Sequence, residues 1–176
     1  MTDVQNPPPS RPLRVYVAGS AENDQTVALA KDVADALEAR GLIVPFRWTD
    51  ESVREAYFRG DLAGVGRAEM DAVLSADLLV VLPGRLGTAM EMGMAIARQI
   101  PIYLFVMDDL TPTSCSWRAV PFVHLPIVQR HTIAEGRFDD DGERFWSTRC
   151  PKLVFEQGSV PLARQIADCV AREAGR

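Results

Sequence analysis

The alternation of short apolar runs with amphipathic stretches predicts an α/β fold, a three-layer Rossmann-like sandwich around a mainly parallel sheet. The strongest sign is Asp77–Leu82, which is wholly apolar after its first residue, as in parallel strands buried on both faces. A Pro-Gly turn, a predicted helix at Thr88–Arg98 and a predicted strand at Ile102–Val106 follow it. This strand–helix–strand order implies a right-handed crossover and hence a parallel sheet.

The other elements extend this unit in both directions along the chain. Leu13–Gly19 predicts the first strand because it is rich in strand-forming residues and ends on a glycine. Asp24–Arg40 predicts a helix with one apolar face, which Gly41 ends. The further predicted elements are a strand at Leu42–Phe46, one or two helices in Glu51–Ala76 interrupted near Gly60–Gly66, strands at Val120–Val128 and Lys152–Phe155, and a helix at Val160–Ala174.

The composition indicates a single soluble domain. The chain has 176 residues, of which 47% are hydrophobic and 24% charged, and residues 13–176 show no boundary that would divide them. Residues 1–12 are polar and rich in proline, which predicts a flexible or polyproline tail that is neither a signal peptide nor an anchor. No apolar run reaches the roughly 20 residues that a bilayer requires.

Charge and cysteine content narrow the function classes. The net charge is −5 and the basic residues are scattered, which argues against a long nucleic acid as partner. A small anionic ligand is still compatible, because a few local donors can hold one phosphate. The three cysteines lack a metal-like spacing and indicate reduced thiols in a cytoplasmic protein. No metal, cofactor or membrane partner is expected.

Three segments follow predicted strands, and ligands bind at the carboxyl ends of strands in such folds. They are Gly19-Ser20, Gly84–Glu91 and the loop Asp108–Trp117. In the second segment, glycines let the backbone approach a ligand, and the helix that follows offers N–H groups and a positive dipole end. We place Glu91 in the first turn of that helix, where its pKa is expected to be lowered. A carboxylate kept ionised suits a nucleophile.

Thr88 and Glu91 also match a capping box, in which the threonine caps the helix and the glutamate reaches back to its backbone. Taken alone, this spacing favours the cap over catalysis. Gly93 is not explained by a cap, because glycine costs about 1 kcal/mol in a helix interior and suggests that another group packs closely there.

Residues 13–106 resemble the nucleoside 2-deoxyribosyltransferase-like superfamily. The resemblance rests on Val15–Ser20, where members have a Tyr-x-x-Gly strand end, and on Asp77–Ala95, where they have a Gly-Thr-x-x-Glu-x-Gly-x-Ala helix start. It implies an enzyme that breaks the N-glycosidic bond of a nucleoside or nucleotide without a cofactor. It also implies a homodimer or a larger homo-oligomer.

The resemblance further implies roles for single residues. Glu91 matches the glutamate that attacks the anomeric carbon of the sugar and forms a covalent glycosyl-enzyme. Tyr16 matches the tyrosine that orients this nucleophile. Asp71 is assigned to the aspartate that works near the sugar and base and assists protonation of the leaving group, with Asp61 and Asp77 as nearby alternatives.

The residue after the first glycine differs between branches of this superfamily. Transferases acting on free nucleosides commonly have Gly-Pro, whereas deoxynucleoside 5′-monophosphate hydrolases have Gly-Ser, as in Gly19-Ser20. This favours a nucleotide hydrolase, in which the Ser20 hydroxyl and backbone N–H groups bind a 5′-phosphate, although an ordinary loop serine is the structural alternative. The candidate substrate-binding residues are Gly19, Ser20, Gly84, Arg85, Gly87 and Thr88.

Pro83–Glu91 is also similar to the Pro-Gly-Gly-x-Gly-Thr-x-x-Glu signature of cytokinin-activating phosphoribohydrolases, with Arg85 in place of the second paired glycine. Arg85 is either a bidentate phosphate ligand or a solvated loop residue. Trp48 is either a stacking partner for a base or a packing residue. Two other functions stay open: a nucleotide-binding module without turnover, and a glycohydrolase acting on a dinucleotide such as NAD.

Overall fold

The computed structural model describes residues 11–21, 24–83, 86–107, 125–133, 137–139, 144–145, 148–149, 152–154 and 158–173. Its main sheet contains four strands that pair in chain order: β1 (Val15–Ala18), β2 (Leu78–Val81), β3 (Ile102–Met107) and β4 (Val128–Ile133). The helices are α1 (Asp24–Glu38), α2 (Glu51–Phe58), α3 (Leu62–Leu74), α4 (Leu86–Ala97) and α5 (Ser159–Glu173). Within these ranges no helix is long and apolar enough to cross a membrane.

All pairings in the main sheet are parallel, which confirms the predicted α/β class. β1 pairs with β2 from Val15–Leu78 to Ala18–Val81, so these two strands end level with each other. Outside this sheet, Arg137–Asp139 pairs with Lys152–Val154 and Arg144–Phe145 pairs with Thr148–Arg149, both antiparallel.

The chain changes its direction of winding beside β1. After α1 it returns in parallel to one edge of β1, where Ile43 bridges Arg14. It then passes through α2 and α3 to β2, which lies on the other edge of β1. A crevice forms at such a reversal, outside the carboxyl ends of the strands, and this is where α/β proteins bind ligands. The fold therefore places the candidate site at the ends of β1 and β2.

The sheet is the middle of three layers. An apolar core lies between each face of the sheet and the helices that cover that face. One core joins alternate strand residues to α1 and α5; among its members are Val15, Val17, Val80, Leu37 and Ile166. The other joins the intervening strand residues to α3 and α4; among its members are Tyr16, Leu79, Leu104, Val73 and Met92. Successive strand residues point to opposite faces, so Tyr16 is directed into the core that contains α4.

Several predicted boundaries were wrong. The expected strand Leu42–Phe46 is reduced to the single bridge at Ile43, because Pro45 has no N–H to continue the pairing. The helical region Glu51–Ala76 is divided once, at Gly60, which has a φ of 86°. α3 then runs through both remaining glycines of the expected interruption, and the Asp61 carboxylate caps it by accepting from the Gly64 N–H at 3.0 Å.

Of the strand expected at Val120–Val128, residues 120–124 lie outside the described residues, and β4 begins at Val128. Leu125 to Ile127 form a turn, in which the Val128 N–H donates to the Leu125 carbonyl at 2.9 Å across Pro126. Residues 1–10 of the predicted tail and the loop Asp108–Trp117 lie outside the described residues.

The end of α4 contains a non-glycine residue with positive φ. Gln99 has a φ of 58°, and the Ile100 N–H donates to the Ala95 carbonyl at 2.9 Å to close the helix. α1 ends with the same pattern, but there Gly41 occupies the left-handed position with a φ of 78°. Glycine adopts this conformation without steric cost, whereas an L side chain does not.

Candidate active site

The two sequence motifs meet at the carboxyl ends of β1 and β2. The Tyr16 hydroxyl donates a hydrogen bond of 2.5 Å to Glu91 Oε1, although the two residues are 75 positions apart. Tyr16 is fully buried, and the Phe46 ring lies parallel to its ring at a centroid distance of 6.4 Å. The structure therefore brings together the predicted nucleophile and the tyrosine predicted to orient it.

The expected pKa of Glu91 was wrong in direction. α4 begins at Leu86, so Glu91 lies in its second turn and does not adjoin the free N–H groups of the helix start. Burial raises the pKa of Glu91 to about 7, the hydrogen bond from Tyr16 acts to lower it, and the charge of Glu69 raises it further. Glu91 consequently changes its charge near neutral pH.

Tyr16 stays protonated and is held as a donor. Burial raises the pKa of Tyr16 well above its ordinary value, and the neighbouring charge of Glu91 and the hydrogen bond to it act in the same direction. A phenol that cannot ionise in this pH range donates its proton to Glu91 whenever Glu91 is a carboxylate. This contact favours the charged form of Glu91, as attack by a nucleophile requires.

Glu69 is the second carboxylate of the site, and sequence reasoning missed it. Glu69 lies on α3, is half-buried, and is close enough for its charge to raise the pKa values of Glu91 and Tyr16. Burial also raises the pKa of Glu69 itself. Asp71, the predicted second acid, is solvent-exposed, so the structure does not bring it to Glu91.

Helical periodicity contained the signal that separates these two acids. Two positions along a helix rotate a side chain by about 200°, so Glu69 and Asp71 must face nearly opposite directions. Glu69 lies three and four residues before Ala72 and Val73, which are both buried in the core beneath α4. The core-facing stripe of α3 thus includes Glu69 and excludes Asp71.

Thr88 does not cap α4. The helix begins two residues before it, and its hydroxyl donates at 3.0 Å to the carbonyl of Gly19. The Thr88 side chain is 1% exposed, so this bond lies in the interior between the ends of β1 and β2. The capping-box interpretation of Thr88 and Glu91 is therefore wrong. The Thr88 hydroxyl bonds to the Gly19 carbonyl, and the Glu91 carboxylate accepts from Tyr16.

Gly19 and Ser20 lie against the same edge of the site. Ser20 is buried, at 7% exposure. A Cβ on Gly19 would come within 3.1 Å of Trp48 Cζ2, so the glycine permits this close approach. Trp48 is a packing residue here, since its indole N–H donates to the Val17 carbonyl at 2.9 Å and its ring packs against the core beneath α1.

The remaining predicted residues of the segment Gly84–Glu91 are Gly84, Arg85 and Gly87. Gly84 and Arg85 lie outside the described residues. Gly87 is exposed in the first turn of α4. Gly93 is also exposed, and a Cβ placed on it would meet nothing within 4 Å, so the expected close packing is absent within this described part of the chain.

The parallel sheet with helices on both faces defines an α/β fold of Rossmann type. The family model for nucleoside 2-deoxyribosyltransferase matches residues 15–141. The chain belongs to this family, whose reaction is cleavage or transfer at an N-glycosidic bond.

A solved structure has the same fold. The CMP N-glycosidase BcmB of Clostridium botulinum superposes with a TM-score of 0.50 at 20% sequence identity, covering 68% of this chain and 88% of that chain. A comparison with curated proteins finds no match.

Proposed function

We propose that this chain hydrolyses the N-glycosidic bond of a nucleoside 5′-monophosphate or nucleoside through a covalent intermediate on Glu91. The observation that supports the proposal most directly is the hydrogen bond from Tyr16 to Glu91 at 2.5 Å. It orients a largely buried carboxylate at the crevice between β1 and β2 and favours its charged form. The family to which the chain belongs acts on the same bond.

In the first step the ionised Glu91 carboxylate attacks the anomeric carbon, and an ester bond forms as the carbon–nitrogen bond breaks. The electron pair of the broken bond goes to the base nitrogen. Glu69 is the group we propose to protonate the leaving base, because burial raises its pKa above the ordinary value of a glutamate, in the direction that a general acid requires. This role replaces the one assigned to Asp71.

In the second step water attacks the anomeric carbon of the glycosyl ester. The water proton passes to Glu69, the ester bond to Glu91 breaks, and the sugar leaves with retained configuration. A second base in place of water would give transfer instead of hydrolysis. We favour water because Gly19 is followed by serine, the residue found in the hydrolase branch that the sequence resembles.

We propose that Gly19 and Ser20 hold the 5′-phosphate of the substrate. They follow β1 at the edge where the Tyr16–Glu91 pair lies, so a phosphate there and a sugar at Glu91 would belong to one ligand. A hydroxyl and backbone N–H groups of such a turn are suitable donors to phosphate oxygens. Arg85 stays a candidate for a further phosphate contact.

We also propose a homodimer that forms through the outer face of α2, α3 and α4. Six large apolar side chains on these helices are exposed: Tyr57, Phe58, Leu62, Met70, Leu74 and Met90. Beside Met90, the exposed described residues of α4 are glycines and alanines at Gly87, Ala89, Gly93 and Ala97. A helix face without charges is typical of a buried surface, and small residues allow a second helix to approach closely.

The test of catalysis is a panel of nucleosides and nucleoside 5′-monophosphates, in ribo and deoxy forms, assayed for free base by chromatography. Wild type should release base from at least one monophosphate, and Glu91→Gln should lose this activity by a factor of 100 or more. Glutamine keeps an oxygen that accepts from Tyr16, so the pair stays structurally intact. Asp71→Asn, at the exposed acid of α3, is the matched control and should retain activity.

Unchanged base release by Glu91→Gln contradicts the nucleophile assignment. No release by wild type from any substrate contradicts hydrolysis and favours a nucleotide-binding module.

A further inference from the structure

We infer that Thr88 is a positioning residue that fixes the distance between the phosphate loop at Gly19-Ser20 and the nucleophile Glu91. The inference rests on the proposed function, since it assigns the phosphate to that loop and the sugar to Glu91. In this role Thr88 favours substrates that have a 5′-phosphate, although Thr88 itself does not contact the substrate.

The first observation is a hydrogen bond between Thr88 and Gly19. Thr88 lies on α4 one turn before Glu91, and its hydroxyl donates to the carbonyl of Gly19, 69 positions earlier in the chain. Thr88 is 1% exposed, so its side chain is buried where it bonds to Gly19. A buried hydroxyl that links two elements in this way couples their positions, and loss of the bond leaves the Gly19 carbonyl without this donor.

The second observation is that Gly19 is held from another side as well. Trp48 Cζ2 would lie 3.1 Å from a Cβ on Gly19, and the Trp48 indole N–H donates to the Val17 carbonyl at 2.9 Å. The Leu82 N–H donates to the Ala18 carbonyl at 2.9 Å, which extends the pairing of β1 and β2 up to this loop. Gly19 is thus fixed between a ring anchored to β1 and a hydroxyl anchored to α4.

The hydrogen bond from Thr88 acts on the peptide unit between Gly19 and Ser20. The Gly19 carbonyl belongs to the same planar group as the Ser20 nitrogen, so the bond from Thr88 fixes the orientation of both. Glu91 follows Thr88 by three residues on α4 and therefore moves with it. The bond consequently sets the spacing between Ser20 and Glu91, which must match the spacing between the phosphate and the anomeric carbon in one substrate molecule.

Thr88→Val tests this role because valine has nearly the shape of threonine and lacks the donor. We expect kcat/KM for a nucleoside 5′-monophosphate to fall about tenfold or more, since small misplacements of reacting groups have large effects on rate. For the matching nucleoside, which does not engage the loop, kcat/KM should fall less than threefold. Thr88→Ser keeps the hydroxyl and should restore the wild-type ratio between the two substrates.

Titration calorimetry in the Glu91→Gln background gives the dissociation constants of the monophosphate and of the nucleoside, and their ratio is compared with and without Thr88→Val. The dissociation constant of the monophosphate should rise about tenfold with Thr88→Val, and that of the nucleoside should stay within a factor of two. A merely structural threonine would lower the melting temperature and affect both ligands equally.

Equal effects on both ligands, or no effect on either, overturn the inference even if the enzyme is active. Absence of base release by wild type, with the binding ratio still changed by Thr88→Val, overturns hydrolysis and leaves the positioning role. If neither ligand binds, both proposals are wrong.

Discussion

Glu91 should reduce the stability of the folded protein at neutral and alkaline pH, and Glu91→Gln should recover it. In the folded chain burial raises the pKa of Glu91 from 4.5 to about 7, so the folded state binds this proton more tightly than the unfolded state. Below about pH 4.5 both states are protonated and Glu91 carries no such cost. As the pH rises to about 7, the unfolded state ionises first and the folded protein loses stability.

The magnitude follows from this pKa difference. Each pKa unit corresponds to about 1.36 kcal/mol, so the rise from 4.5 to about 7 sets an upper limit of roughly 3.4 kcal/mol on the loss of stability well above pH 7. Glu91 keeps some contact with solvent, which weakens the effect, and we expect about 2 kcal/mol. Glutamine fills the same space, accepts from Tyr16 and has no charge, so Glu91→Gln should be more stable than wild type by about this amount at pH 8.

The assay is urea unfolding of wild type and Glu91→Gln at pH 4.5, 6, 7 and 8, followed by circular dichroism. The difference in unfolding free energy should be within about 0.5 kcal/mol at the lowest pH and should increase to its full value by pH 8. Asp71→Asn, which neutralises an exposed acid on α3, should show no comparable pH dependence. A Glu91→Gln variant that is less stable than wild type at pH 8, or a pH-independent difference, would refute the reasoning.

Four further outcomes test other parts of the structure. Tyr16→Phe removes the bond that lowers the pKa of Glu91, so the pH at which kcat/KM for base release rises should move upward from about 7, and an unmoved pH profile would contradict it. Glu69→Gln removes a charge that raises the pKa of Glu91 and should move that rise to lower pH; as the proposed acid it should also lose at least tenfold in kcat, whereas Asp71→Asn should not. Gln99→Gly relieves the positive φ at the end of α4 and should raise the unfolding free energy by about 0.5–1 kcal/mol in urea, and a destabilised variant would show that the side chain contributes there. Phe58→Lys, at a residue 78% exposed on α2, should shift a dimer toward monomer in light scattering at micromolar concentration, and an unchanged mass would exclude this face from the interface.

The sequence was sufficient to predict the sheet and the meeting of its two motifs. β1 and β2 are apolar on both faces, as parallel strands between helices must be, and their carboxyl ends lie on one edge of the sheet. Glu91 was singled out because its segment follows a predicted strand, whereas Tyr16 was assigned from the resemblance to the family. Local pattern together with the family resemblance therefore located the pair.

The electrostatics of the site could not be predicted in the same way. The expected low pKa of Glu91 depended on a helix start at Thr88, and a shift of two residues moved Glu91 away from the helix end. Its burial beside Tyr16 and Glu69 is a tertiary property, produced by elements distant in the chain. Asp71 was assigned from the resemblance, with Asp61 and Asp77 as alternatives, whereas the periodicity of α3 places Glu69 on its core-facing side.

The pairing of β1 directly with β2 has a consequence for how this domain can vary. Four strand pairs align Val15–Ala18 with Leu78–Val81, and they fix where α4 starts relative to Tyr16. The nearly sixty residues between the strands leave the sheet and return to it, so changes of length in the loops around α2 would not alter that alignment. Such changes would remodel the wall of the crevice, including the approach of Glu69, while Glu91 and its phenol donor Tyr16 stay in place. The residues that line the crevice in this segment can therefore diverge independently of the Tyr16–Glu91 pair.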